Sequence, residues 1–148
     1  MIRSKHGLMG KALAALATVA AFSGAPVALA ATDLVVWHAY RGDEKAAFEK
    51  VVGMYNAKQK AVAVKTLAVP YDAYADKITA SVPRGKGPDV FIFAQDRLGG
   101  WVEAGQTIEP IDFFVDEKVT SQLVPGMMTA MTYRDTVYGL PLNFKSIA

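Results

Sequence analysis

Apolar positions along the chain form short continuous runs that alternate with stripes at helical spacing. Leu34, Val35, Val36 and Trp37 make one continuous run, the pattern of a strand buried on both faces. Phe48, Val51, Val52 and Tyr55 then recur at i, i+3, i+4 and i+7. That spacing predicts a helix with one apolar face, N-capped by Asp43 and reaching about Lys58. Residues 61–69 are β-rich, with Val62, Val64 and Val69, and end at Pro70. Tyr71, Tyr74, Ala75, Ile78 and Val82 share a second helical face that runs to about Pro83. After a loop at 84–88, Val90 to Ala94 is a second continuous apolar strand. A short helix follows from about Arg97, with Leu98, Trp101 and Val102 inward and Gly105 at its end.

This β-α-β-α-β-α order, with helices long enough to be crossovers, predicts an α/β domain whose mainly parallel sheet is covered on both faces. Beyond Gly105 the pattern weakens. Ile108 to Ile111 reads as a short extended piece, and residues 116–131 as a helix interrupted at Pro125 and Gly126. Thr132 to Leu142 reads as a hairpin turning near Arg134 and Asp135.

Composition changes this picture mainly at the start. Residues 1–30 carry Arg3, Lys5 and Lys11 and no acid. An apolar run from Ala12 to Phe22 follows, then a Gly24-Ala25-Pro26 breaker and Ala28-Leu29-Ala30, the small-x-small pattern of signal-peptidase cleavage. The run is about half the ~20 residues that span a bilayer, which favours a cleavable export signal over a membrane anchor. The expected mature chain is 31–148, exported to a periplasm. Removing the three leader bases leaves 13 bases against 14 acids, so no basic nucleic-acid footprint remains. With no Cys, a disulfide scaffold, a thiolate zinc site, a Cys nucleophile and a lipidated Cys are all excluded.

Ligands of parallel sheets bind beyond the carboxyl ends of the strands. Two segments hold such places. Phe93, Asp96 and Arg97 put an aromatic, an acid and a base within five residues. An aromatic face suits the C–H face of a sugar ring, and charge-assisted hydrogen bonds to hydroxyls contribute roughly 1.5–3 kcal/mol each. The plainer reading, favoured by the local pattern, makes Asp96 an N-cap and Arg97 a solvated first-turn residue. Trp37, Tyr40 and Arg41 are the second segment, with Trp37 as core and the others on a surface loop as the alternative. His38 is the only His after residue 30, too few for a His-cluster metal site. Gly85-Lys86-Gly87 lacks the spacing of a phosphate loop. Arg41-Gly42-Asp43 is too short to signal adhesion, and no Gly-x-Ser-x-Gly elbow exists. Asp96, Glu103 and Glu109 leave a glycosidase pair open.

The segment 87–105, GPDVFIFAQDRLGGWVEAG, resembles the signature stretch of the periplasmic maltose/maltodextrin-binding proteins, family 1 extracellular solute-binding proteins of ABC importers. LVVWHA at 34–39 is similar to the family's first strand, and IEPI at 108–111 and YGLP at 138–141 to later landmarks. The resemblance implies a type II periplasmic binding protein-like, two-lobe fold. Residues 31–148 would be most of the first half of its N-terminal lobe, a fragment ending near the first interlobe crossover. It implies a monomer with no cofactor and no catalytic residue, which captures oligosaccharide between lobes and delivers it to an inner-membrane ABC permease. A binder of another sugar or a polyamine, or a periplasmic glycosidase, is the alternative. By position the resemblance implies that Trp37 is a cleft aromatic, that Asp96 and Arg97 bond sugar hydroxyls, and that Phe93 stands where Trp is usual. Tyr40, Arg41 and Glu44 belong to a loop that departs from the best-known maltose binders, and Lys145 falls near a family carboxylate that touches ligand, which implies that this contact is absent or reversed here.

Overall fold

The computed structural model describes residues 31–124 and 126–144; the expected export signal and Lys145 lie outside them. Strand β1, Thr32–His38, is central in a three-stranded parallel sheet of order β2-β1-β3. It pairs with β2, Val62–Ala68, from Thr32 opposite Val62 to His38 opposite Ala68. On its other side it pairs with β3, Val90–Phe91, through Val36 opposite Val90 and Trp37 opposite Phe91. A continuous apolar run suits this position, because a central strand is covered on both faces.

Side chains alternate along β1, so Val35 and Trp37 face one side and Val36 and His38 the other. On the first side Trp37 joins Val69, Tyr74, Ile78 and Trp101 in the core. Tyr74 and Ile78 come from α2, Tyr71–Ser81, and Trp101 from α3, Leu98–Ala104. On the second side α1, Gly42–Lys58, brings the Phe48 ring edge-on to His38 at 5.1 Å.

Helix α1 departs from expectation in two ways. It starts one residue before Asp43, on an extended Arg41 with no side-chain cap, so Asp43 lies in the first turn instead of capping it. There its charge complements the helix dipole. Its sheet-facing stripe is Phe48, Val52 and Asn56, continued by Gln59 at its C-cap, while Val51 is 61% and Tyr55 47% exposed. The reason is polar. Asn56 accepts from the Val64 amide and donates to its carbonyl, both at 2.9 Å. Gln59 makes the same paired contact with Val62, at 2.9 and 2.8 Å. The two amides satisfy the outward backbone groups of Val62 and Val64 in β2, an edge strand among the described residues.

Strand β3 is shorter than the apolar run 90–94. Backbone bonds from Asp89 to Val35 (3.0 Å) and from Ile92 to Trp37 (2.9 Å) bracket it, and the chain then leaves the sheet. Before it, a 3₁₀ turn, Val82–Arg84, is closed by left-handed Gly85 at φ 66°. A Cβ on Gly87 would fall 2.5 Å from Val82 Cγ2, so these glycines serve a tight packed turn. Past Gly105, Ile108 to Ile111 forms no strand, although the Ile111 amide bonds Val137 at 2.8 Å. Residues 116–131 are mostly turns. Among the described residues there, only α4, Glu117–Thr120, is α-helical, capped by Asp116, which accepts from the Val119 amide at 2.9 Å. The hairpin is present as β4, Thr132–Tyr133, and β5, Thr136–Val137, with Arg134 and Asp135 both at positive φ. It docks on α3, where Glu103 accepts from Tyr133 Oη at 2.8 Å and pairs with Arg134 at 2.8 Å. No described helix is long and apolar enough to cross a membrane.

Candidate functional site

From β1 the chain crosses to β2 on one side, and β3 then pairs on the other side of β1. The connections after β1 and β3 therefore diverge, and the crevice between them is where open α/β sheets take ligands. Every site residue expected from the sequence lies on or after these two strands.

At the end of β3 the 3₁₀ turn Gln95–Arg97 leads directly into α3. Neither this turn nor α3 receives a side-chain cap, so Asp96 caps no helix and the plainer reading of it falls. The Asp96 and Arg97 side chains are 65% and 62% exposed, with Nε and Oδ2 3.9 Å apart. At that distance they form a loose pair whose donors and acceptors remain open to a ligand. With Phe93 they line a cavity of about 330 Å³ whose remaining wall is Tyr71, Asp72, Ala75 and Asp76. These α2 residues were missed because Tyr71 falls on the helix's apolar stripe and the aspartates read as solvated. The available signal was Pro70, which ends β2 and places the first turn of α2 at the same sheet end.

Beneath the cavity lies a stack of rings. Tyr74 is parallel to Phe93 at 4.6 Å, and Trp101 donates from Nε1 to Thr79 Oγ1 at 3.2 Å. Burial pushes the Tyr74 phenol well above its ordinary range, so it stays neutral. Trp37 is 6% exposed, packed in the core with the Lys77 ammonium 4.8 Å from its ring centroid. It therefore supports the sheet end from below and lines no part of this cavity.

At the end of β1, Tyr40 and Glu44 line a separate, mainly apolar depression of about 260 Å³ with Phe48, Val51 and Leu142 among its walls. Arg41 is exposed at the start of α1 and lines neither depression. The expected residues thus divide, with Phe93, Asp96 and Arg97 together and Tyr40 and Glu44 together.

His38 holds the turn between β1 and α1. It is fully buried, its Nδ1 accepts from the Tyr40 amide at 3.2 Å, and the Tyr40 and Phe48 rings lie 5.5 and 5.1 Å away. Burial lowers its pKa below 6.5; Glu49 opposes that shift and Lys45 adds to it, both from α1. The unfolded chain therefore takes up a proton first as pH falls. Stability is full above about 6.5 and declines as pH drops from there through the folded-state value. Urea midpoints at pH 7.5 and 5.0 should show this decline, and His38→Asn, which keeps an acceptor for Tyr40, should flatten it. An unchanged pH slope in His38→Asn would assign the decline to other groups.

Among the described residues no group of three His, Asp or Glu side chains is placed to hold a metal ion. An exposed acid and guanidinium beside aromatic rings suits a neutral polyhydroxyl ligand held by hydrogen bonds and stacking.

The family model for bacterial extracellular solute-binding proteins matches residues 39–148. A maltotriose-binding protein of Pyrococcus abyssi is 30% identical over 115 residues, 78% of this chain and 25% of that protein. Among solved structures, a cyclo/maltodextrin-binding protein complexed with maltotetraose is 34% identical with a TM-score of 0.65, covering 74% of this chain and 28% of its own. A protein with mannotriose bound is 29% identical with a TM-score of 0.67, at the same coverages. The chain thus spans about a quarter of the length of the relatives it matches.

Proposed function

The chain belongs to the bacterial extracellular solute-binding proteins, and from that premise we propose that it forms one wall of an oligosaccharide-binding cleft. The ligand class is a maltodextrin-type glucan. The observation that carries this reading is the cavity beyond β3, where exposed Asp96 and Arg97 meet an aromatic wall that Phe93 shares with the start of α2. The maltotriose-binding and maltodextrin-binding relatives support the choice of sugar.

In the whole protein, two lobes would close on the sugar about a hinge, each contributing contacts, so that only a ligand touching both walls favours the closed form. The closed, monomeric protein would then dock on an inner-membrane ABC permease and release its sugar. No bond of the sugar is made or broken, in keeping with relatives that are solute-binding proteins. Residues 1–30 would direct export to the periplasm, and residues 31–148 would form part of the N-terminal lobe. Tyr40, Arg41 and Glu44 would flank the cleft from the β1 side.

The neighbour solved with mannotriose makes mannan oligosaccharides a second reading, and the three aspartates of the cavity make a polyamine a third. Titration of the ¹⁵N-labelled chain with maltotriose, mannotriose and spermidine separates them, because NMR shifts also read weak binding. Saturable shifts at residues 93–97 with maltotriose are expected. Shifts there with spermidine and none with either glycan would overturn the reading.

A further inference from the structure

Phe93 stands where the sequence places the aromatic of the cleft, yet its ring is already crowded. Tyr74 stacks on it at 4.6 Å with planes 7° apart, Tyr71 stacks at 5.1 Å and 29°, and Trp101 tilts against it at 6.0 Å. A pyranose ring needs an open aromatic face for its C–H groups. Tyr71 offers one. It lines the same cavity and keeps 50% of its surface exposed, whereas Tyr74 is fully buried.

The position of Tyr71 is also held before any ligand arrives. It is the first residue of α2, preceded by Pro70 at φ −54° and followed by the Ala73 amide bonded to the Pro70 carbonyl at 3.2 Å. Its ring rests on Phe93, which rests on Tyr74 in the core, so little motion is lost on binding. Asp72 and Asp76, one turn apart on α2, line the cavity on its own side, and Asp96 and Arg97 line it from the other. A ring laid on Tyr71 would have hydrogen-bonding groups at both edges.

We propose that Tyr71 is the sugar-stacking residue of this cavity, with Phe93 and Tyr74 as its rigid backing. This assignment deepens the oligosaccharide reading and rests on it. Titration of the full chain and of Tyr71→Ala, Tyr71→Phe and Phe93→Leu with maltotriose, followed by NMR, tests it. Tyr71→Ala should weaken binding by roughly 5- to 30-fold, and Tyr71→Phe by no more than about 3-fold, because the ring and not the hydroxyl makes the contact. Tyr71→Ala should lower the urea midpoint less than Phe93→Leu does, and its loss of affinity should persist at equal folded fraction, which a purely structural role would not give. Phe93→Leu should lower that midpoint more than it lowers affinity. Binding by the parent chain that Tyr71→Ala leaves unchanged overturns the assignment alone. An equal loss in Tyr71→Phe, or a larger loss in Phe93→Leu at equal folded fraction, also overturns it. Absence of any maltotriose binding by the parent chain overturns the sugar reading and this assignment together.

Discussion

Trp101→Ala should destabilise the chain by about 3–5 kcal/mol, the largest stability loss expected of any single substitution here. Trp101 is the residue that α3 sends into the buried core. Its ring meets Phe91 of β3 edge-on at 5.3 Å and tilts against Phe93 at 6.0 Å. Its Nε1 donates to Thr79 of α2, so truncation removes packing and a hydrogen bond at once. The core is small: Trp37, Val69, Tyr74, Ile78 and Trp101 form its buried cluster. Little surrounding structure is available to collapse into the space, and a poorly collapsing site puts the cost at the upper end. Total stabilities of domains are about 5–15 kcal/mol, so the variant should be largely unfolded at low urea. Trp101→Phe keeps ring packing and loses the Thr79 bond, and should cost less, about 1–2 kcal/mol. Urea denaturation followed by circular dichroism, which avoids the fluorescence of the deleted ring, measures both. A loss below about 1 kcal/mol for Trp101→Ala would mean that α3 is not held by this contact.

The same residues show what a sequence can and cannot reveal of such a fold. Central β1 was legible because a parallel strand covered on both faces needs an unbroken apolar run, and Leu34 to Trp37 is one. The inward side of α3 was legible for a similar reason, since Trp101 and its half-buried neighbours Leu98 and Val102 lie at helical spacing and Gly105 ends the element. Helix α1 was legible in extent but not in orientation. Periodicity ranks faces by apolar content, and here the face toward β2 ends in Asn56 and Gln59, whose amides meet backbone that only tertiary structure presents. Strand β3 was read too long because Phe93 remains apolar after the chain has left the sheet, packed against Tyr74 of α2 and Trp101 of α3. In the candidate site, the β3 half was visible because Phe93, Asp96 and Arg97 are neighbours in sequence. Tyr71, Asp72 and Asp76 reach the cavity from a different element, and no local pattern joins them to it.

Asp96→Ala and Arg97→Ala should each weaken maltotriose binding by roughly 10- to 100-fold while leaving the fold intact. The binding loss follows from charge. Each side chain can make charge-assisted hydrogen bonds to sugar hydroxyls, and removing one partner of such a bond costs about 1.5–3 kcal/mol. The intact fold follows from exposure. Both side chains are nearly two-thirds exposed, their mutual contact is 3.9 Å long, and neither caps the turn or the helix beside it. Substitutions at such positions usually change stability by no more than about 0.5 kcal/mol. Asp96→Asn, which keeps an acceptor and loses the charge, should fall between the parent and Asp96→Ala. The double variant should lose less than the product of the two single losses, because one hydroxyl network uses both groups. A side chain that served only the chain would give the opposite result: stability would drop by about 1 kcal/mol and affinity would hold. Measuring affinity and midpoint on the parent chain and these four variants therefore decides whether this acid–base pair serves the ligand or the chain.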